Sequence, residues 1–83
     1  MLPFTRSELD ELAQQHGLPV RQLTEAQEVM LFNGVSHDEI RSKIPQMCDD
    51  AKVLAHGGSA IGMFDRLLKG FIAHVEARNS PDG

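Results

Sequence analysis

The chain has no Trp and no Tyr, and only four Phe among its 83 residues, so whatever core it builds is aliphatic. A single cysteine, Cys48, excludes an internal disulfide. Cationic side chains are scarce as well: eight Lys and Arg stand against twelve Asp and Glu, a formal net charge of −4. A surface of that sign repels a row of phosphates, which counts against nucleic acid as a partner. The longest apolar run, Val29 to Phe32, is four residues. A bilayer takes about 20, so no membrane span is expected. No basic segment followed by an apolar one begins the chain, and with one cysteine the expected location is a reducing cytoplasm.

What is present suffices for one small domain over residues 1–78, with 79–83 expected to be a frayed tail. Apolar residues make up 41% and charged residues 24%, the balance of a globular rather than a disordered chain. A chain this short buries only a little more than ~60% of the surface its unfolded form exposes. Its core is marginal, and a partner subunit would add to it.

Helix punctuation divides the chain into four segments. Thr5 with Glu8 forms a capping box at the start of the first, with Ser7 and Asp10 as a second cap, and Gly17 supplies a left-handed stop after His16. Leu9, Leu12, Ala13 and His16 share one face of it. Thr24 with Gln27 predicts a second box, opening a short helix that runs to about Asn33 and stops at Gly34. The last turn of that helix is apolar on every side, so Leu31 and Phe32 are expected to be covered by the core and by a partner.

Ser36 with Glu39 opens a third helix carrying Ile40, Ile44, Met47, Ala51 and Leu54 as a heptad-like seam. Pro45 falls about 140° from Ile40 on the wheel, on the wet side, where it either bends the helix or breaks it near Ile44. Gly57-Gly58 ends this segment. Ser59 then caps the last helix, which runs to about Arg78 and spans roughly 30 Å.

The wheel of the last helix is too apolar. Ile61, Phe64, Leu68, Phe71, Ile72 and Val75 form a core-width stripe, and Met63 and Leu67 widen it to about half the cylinder, beyond the ≳100° that a surface helix needs. His74 sits at the edge of this face. Asp65, Arg66, Lys69 and Glu76 crowd the opposite arc. The surplus apolar edge marks a protein interface, assigned to Met63, Phe64, Leu67, Phe71, Ile72, His74 and Val75, together with Leu31 and Phe32.

Residues that carry chemistry are present but scattered. The histidines at 16, 37, 56 and 74 stand in no H-x-x-x-H or C-x-x-C spacing, so no metal site is expected. His16 and His56, in the last turns of their helices, suit the negative end of a helix dipole. Cys48, at the margin of the third seam, reads as a small core residue rather than a nucleophile. Gly57-Gly58-Ser59 lacks the strand and the Lys of a phosphate loop. No catalytic residue and no cofactor is expected. Gly62 and Gly70 either let a neighbouring backbone approach or are weak points of the last helix.

Two stretches resemble known families. "EAQEVMLFNGVSHDEIRSKI", residues 25 to 44, resembles the first part of the helix-turn-helix of LuxR-type and sigma-factor-type regulators. That likeness implies DNA binding, but the sequence continues with Pro45-Gln46-Met47-Cys48-Asp49-Asp50 in place of a basic recognition helix. As a whole, through "RSELDELAQQHGLPV" and "AIGMFDRLLKGFIAHVEA", the chain resembles the small QslA-like antiactivators of proteobacterial quorum sensing. That likeness implies a non-enzymatic protein that binds a LuxR-type transcriptional regulator and blocks it.

These readings give an all-α domain of four helices. Its two long C-terminal helices form an antiparallel hairpin, packed by the two shorter N-terminal ones, and it is expected to be a homodimer through the last helix. The expected function is sequestration of another protein, which the second resemblance implies is a LuxR-type transcriptional regulator. The alternatives are a helix-turn-helix DNA binder and a dimeric helical module with no other partner at its last helix.

Overall fold

In the computed structural model, which describes residues 1–80, every regular element is a helix: α1 Arg6–His16, α2 Val20–Phe32, α3 His37–Leu54 and α4 Ala60–Arg78. α1 begins as its capping box requires. The Glu8 N–H donates to Thr5 Oγ1 at 3.2 Å, and Glu8 Oε1 accepts from the Thr5 N–H at 2.8 Å. Gly17 ends the helix at φ +66, a conformation that costs a glycine nothing.

α2 starts earlier than the sequence suggested. Pro19, in extended conformation, occupies the cap position, and the helix begins at Val20 with no side-chain cap. Thr24 is therefore a mid-helix residue whose hydroxyl donates to Val20 O at 3.0 Å. A proline with preset φ placed the chain for helix entry one turn before the Thr24/Gln27 pair, which left that pair's capping geometry unused. Gln27 takes a different task. It is buried, accepts from the Phe4 N–H through Oε1 at 2.9 Å and donates to Phe4 O at 3.4 Å. The extended residues before α1 are thereby tied to the core.

α3 is one continuous helix through Pro45. Ser36 accepts from the Glu39 N–H at 3.1 Å, whereas the Glu39 side chain pairs with Arg78 instead of closing the box. Ile40, Ile44, Met47 and Ala51 are buried as the seam requires, while Leu54 is exposed. Pro45 is half-buried rather than on the wet side. His56 lies beyond the helix, at φ +49, and Gly57 follows at φ +85. Together they turn the chain back toward the Ser59 cap of α4.

α3 and α4 form the hairpin and α1 packs on α2; α2 and α3 each touch all three other helices, and α1 and α4 do not meet. The hairpin is locked at its open end by a bidentate Arg78–Glu39 pair, with both bonds at 3.2 Å. Its closed end turns through residues 55–59. The result is flattened, 40 × 30 × 17 Å, and its aliphatic core is centred on Leu23, Met30, Ile40, Ile44, Phe64 and Val75. No described helix is long and apolar enough to cross a membrane.

Candidate functional site

α2 and α4 run side by side in the same direction and are joined at both ends. Near their N-termini Gln22 Nε2 donates to Ile61 O at 2.9 Å, and near their C-termini Asn79 Nδ2 donates to Asn33 O at 3.2 Å. Between these ties the helices diverge around a groove of about 430 Å³. Its floor is apolar: Val29 from α2, and Leu68, Ile72 and Ala73 from α4. Its rim is charged: Glu25 on the α2 wall and Asp65, Lys69 and Glu76 on the α4 wall.

Helical spacing explains the composition. Glu25 and Val29 are one turn apart on α2, and Asp65, Leu68, Ile72 and Glu76 fall at three- and four-residue steps along α4. Each wall therefore presents one apolar ridge bordered by acid. Lys69 Nζ lies 3.0 Å from Asp65 Oδ2. Among the described residues Glu25 and Glu76 are in no ion pair, so the rim keeps a net negative charge.

The apolar surface continues past the groove. Phe32, one turn beyond Val29, is 91% exposed, and Ile61, on the same edge of α4 as Leu68 and Ile72, is 48% exposed. The last turn of α2 is thus covered on one side only. Met30 is fully buried and Leu31 half-buried, while Val29 and Phe32 face outward. A second exposed apolar group, Val53 and Leu54, sits at the closed end of the hairpin.

The expected interface divides into three. Phe64 and Val75 are fully buried within the chain's own core, so they are not available to a partner, which corrects their assignment. They lie at the centre of the apolar stripe, where packing on α3 takes them first. Ile72 lines the groove, whereas Met63, Leu67 and Phe71 lie on the opposite edge of α4, half-buried against the core, with Lys43 Nζ 5.0 Å above the Phe71 ring. His74 is exposed, and Phe32 projects most of all. Sequence reasoning missed Val29, Leu68 and the acidic rim as parts of one groove. The signal available was the pairing of two apolar stripes, each bordered by carboxylates.

The chemistry-bearing side chains are used structurally. His16 ties α1 to α3 through Nε2, 2.8 Å from Asp49 Oδ1, while its Nδ1 lies 3.0 Å from Leu12 O. Cys48 is fully buried, and burial, helped by the charge of Asp49, pushes its thiol up to about 11, the opposite of an activated nucleophile. No group of three His, Cys, Asp or Glu among the described residues is placed to hold a metal ion. Arg41 stacks over Phe4 at 5.0 Å, donates to Pro3 O and lies 3.7 Å from Glu8 Oε2.

Comparison with protein-family models, with curated proteins and with solved structures gives no match to this chain.

Proposed function

We propose that the chain is a non-enzymatic regulatory protein that binds and sequesters another protein through apolar helical surface. The resemblance to QslA-like antiactivators points to a LuxR-type transcriptional regulator as that partner. The observation that carries this reading is the open groove between α2 and α4. Two helices tied at both ends leave Val29 exposed and Leu68 and Ile72 half-buried between them, and Phe32 and Ile61 extend the patch beyond. Contiguous apolar surface rimmed by polar groups is the ordinary mark of a protein-binding site.

In an electrophoretic assay, adding the protein to a LuxR-type regulator of the same host, bound to its promoter, is expected to release the DNA. A regulator that holds its DNA at a large excess of the protein contradicts the reading. The helix-turn-helix alternative is disfavoured by charge. The exposed face of α3 carries Asp38, Asp49 and Asp50, and its Arg41 is already engaged by Pro3, Phe4 and Glu8.

A homodimer through α4 stands as a second reading, favoured by the half-buried Met63, Leu67 and Phe71 on the edge away from the groove. Sedimentation at micromolar concentration then gives about twice the chain mass of 9.2 kDa, and Leu67→Asp returns it to one. A wild-type protein sedimenting at the chain mass removes this reading.

A further inference from the structure

We infer that the groove between α2 and α4 receives an amphipathic helix of a partner protein whose apolar stripe is flanked on both sides by Lys or Arg. This deepens the sequestering function and rests on it. The groove's length, composition and charge carry the inference.

The α4 wall from Asp65 to Glu76 covers about 17 Å at 1.5 Å per residue, the length of three helical turns. Its floor of Val29, Leu68, Ile72 and Ala73 suits side chains arriving at three- and four-residue steps, the spacing of a helix laid in a groove. Both walls are themselves helices. They offer no unpaired strand edge, so an extended peptide would gain no main-chain bonds there.

Charge then selects the kind of helix. Asp65 is neutralised by Lys69, and the remaining rim carboxylates stand on opposite walls, Glu25 on α2 and Glu76 on α4. A helix in the groove therefore meets one unpaired carboxylate on each flank, Glu25 on one side and Glu76 on the other. An acidic helix is repelled, and so is an anionic lipid surface. A second copy of this chain is disfavoured for the same reason: its most exposed helical apolar side chain, Phe32, follows Glu25 and Glu28 on α2 and would bring them against the rim.

The test uses the full chain and a fluorescein-labelled 14-residue peptide of Leu and Lys, with Leu at helical spacing. The controls are a scrambled peptide of the same composition and a Leu–Glu counterpart. Anisotropy is expected to show micromolar binding of the Leu–Lys peptide, at least tenfold weaker binding of the scrambled one and none of the Leu–Glu one. The exposed pair Glu25→Lys with Glu76→Lys should weaken the Leu–Lys peptide at least tenfold. Val29→Asp should do the same, with circular dichroism confirming its fold.

Equal binding of the scrambled peptide, or undiminished binding by the variants, overturns the inference, as does no binding at all. A dimer of the free protein that Glu25→Lys with Glu76→Lys strengthens, and that excludes the peptide, assigns the groove to a second copy and also overturns it. If the peptide fails while the regulator is still stripped from its promoter, only this inference falls. If the peptide binds and the promoter complex persists, the sequestering function falls and the groove's preference stands.

Discussion

Gln27 carries two hydrogen bonds that no other side chain can replace, both to the backbone of Phe4, a residue 23 positions earlier. Replacing it with Leu keeps the volume and strands a buried N–H, which costs about 1–3 kcal/mol. Urea unfolding of Gln27→Leu is expected to show an unfolding free energy lowered by that amount, with the midpoint lowered in proportion, and an unchanged midpoint would mean that the residues before α1 contribute nothing. The position was legible in the sequence only as an anomaly. Leu23, Ala26 and Met30 surround it on the apolar face of α2, and a glutamine among them must find a polar partner. That the partner is Phe4 depends on a contact across 23 residues that no local pattern records.

Glu8 gives the second residue-scale prediction. The backbone hydrogen bond from Thr5 holds its carboxyl below the usual range, with the Thr5 hydroxyl and Arg41 adding to the effect against some desolvation. Because the folded pKa is lower than the unfolded one, the contribution is complete above the unfolded carboxylate range and is lost as pH falls through the folded value. Unfolding midpoints followed from about pH 6 down to about pH 3 should fall less steeply in Glu8→Gln than in the wild type. Parallel curves would place the acid sensitivity elsewhere.

At the scale of elements, capping chemistry and apolar spacing were enough to find all four helices, because each signal lies within a few residues of the end it sets. Thr5, Gly17, Ser36 and Ser59 act where the sequence put them. The start of α2 was displaced because Pro19 and the Thr24/Gln27 pair are competing local signals, and burial of Gln27 decided between them. α3 passes through Pro45 without a break, since its seam of Ile40, Ile44, Met47 and Ala51 is held from both sides by packing. The wide apolar face of α4 was legible, but its division into a buried centre and two half-open edges depends on where α2 and α3 lie.

Gly70 belongs to this scale as well. A Cβ built there meets nothing within 4 Å, so no neighbouring backbone requires the glycine. Gly70→Ala is expected to stabilise the fold by about 1 kcal/mol. In a domain of this size that raises Tm by about 4–8 °C in a thermal scan. A lowered Tm would show that α4 needs the flexibility of a glycine in its middle.

The whole molecule is thin, 17 Å in its smallest dimension, and that thinness explains the groove. Only α2 and α3 touch α4 and they cannot enclose it on every side, since α1 never reaches it. Apolar side chains that a thicker domain would bury stay half-open between α2 and α4. Completing the burial of Val29, Ile61, Leu68 and Ile72 would contribute about 1 kcal/mol each at roughly 25 cal/mol per Å², before the cost of association. That is enough for modest affinity, and the acidic rim adds selectivity and rate more than strength.

The groove's use is tested most directly by an amide proton–nitrogen spectrum of the full chain, titrated with the Leu–Lys peptide. Perturbations confined to the surroundings of Val29, Phe32, Leu68, Ile72 and Ala73 are the predicted result. Perturbations centred on Val53 and Leu54, or scattered over exposed acids such as Asp49 and Asp50 with the groove unmoved, would contradict it.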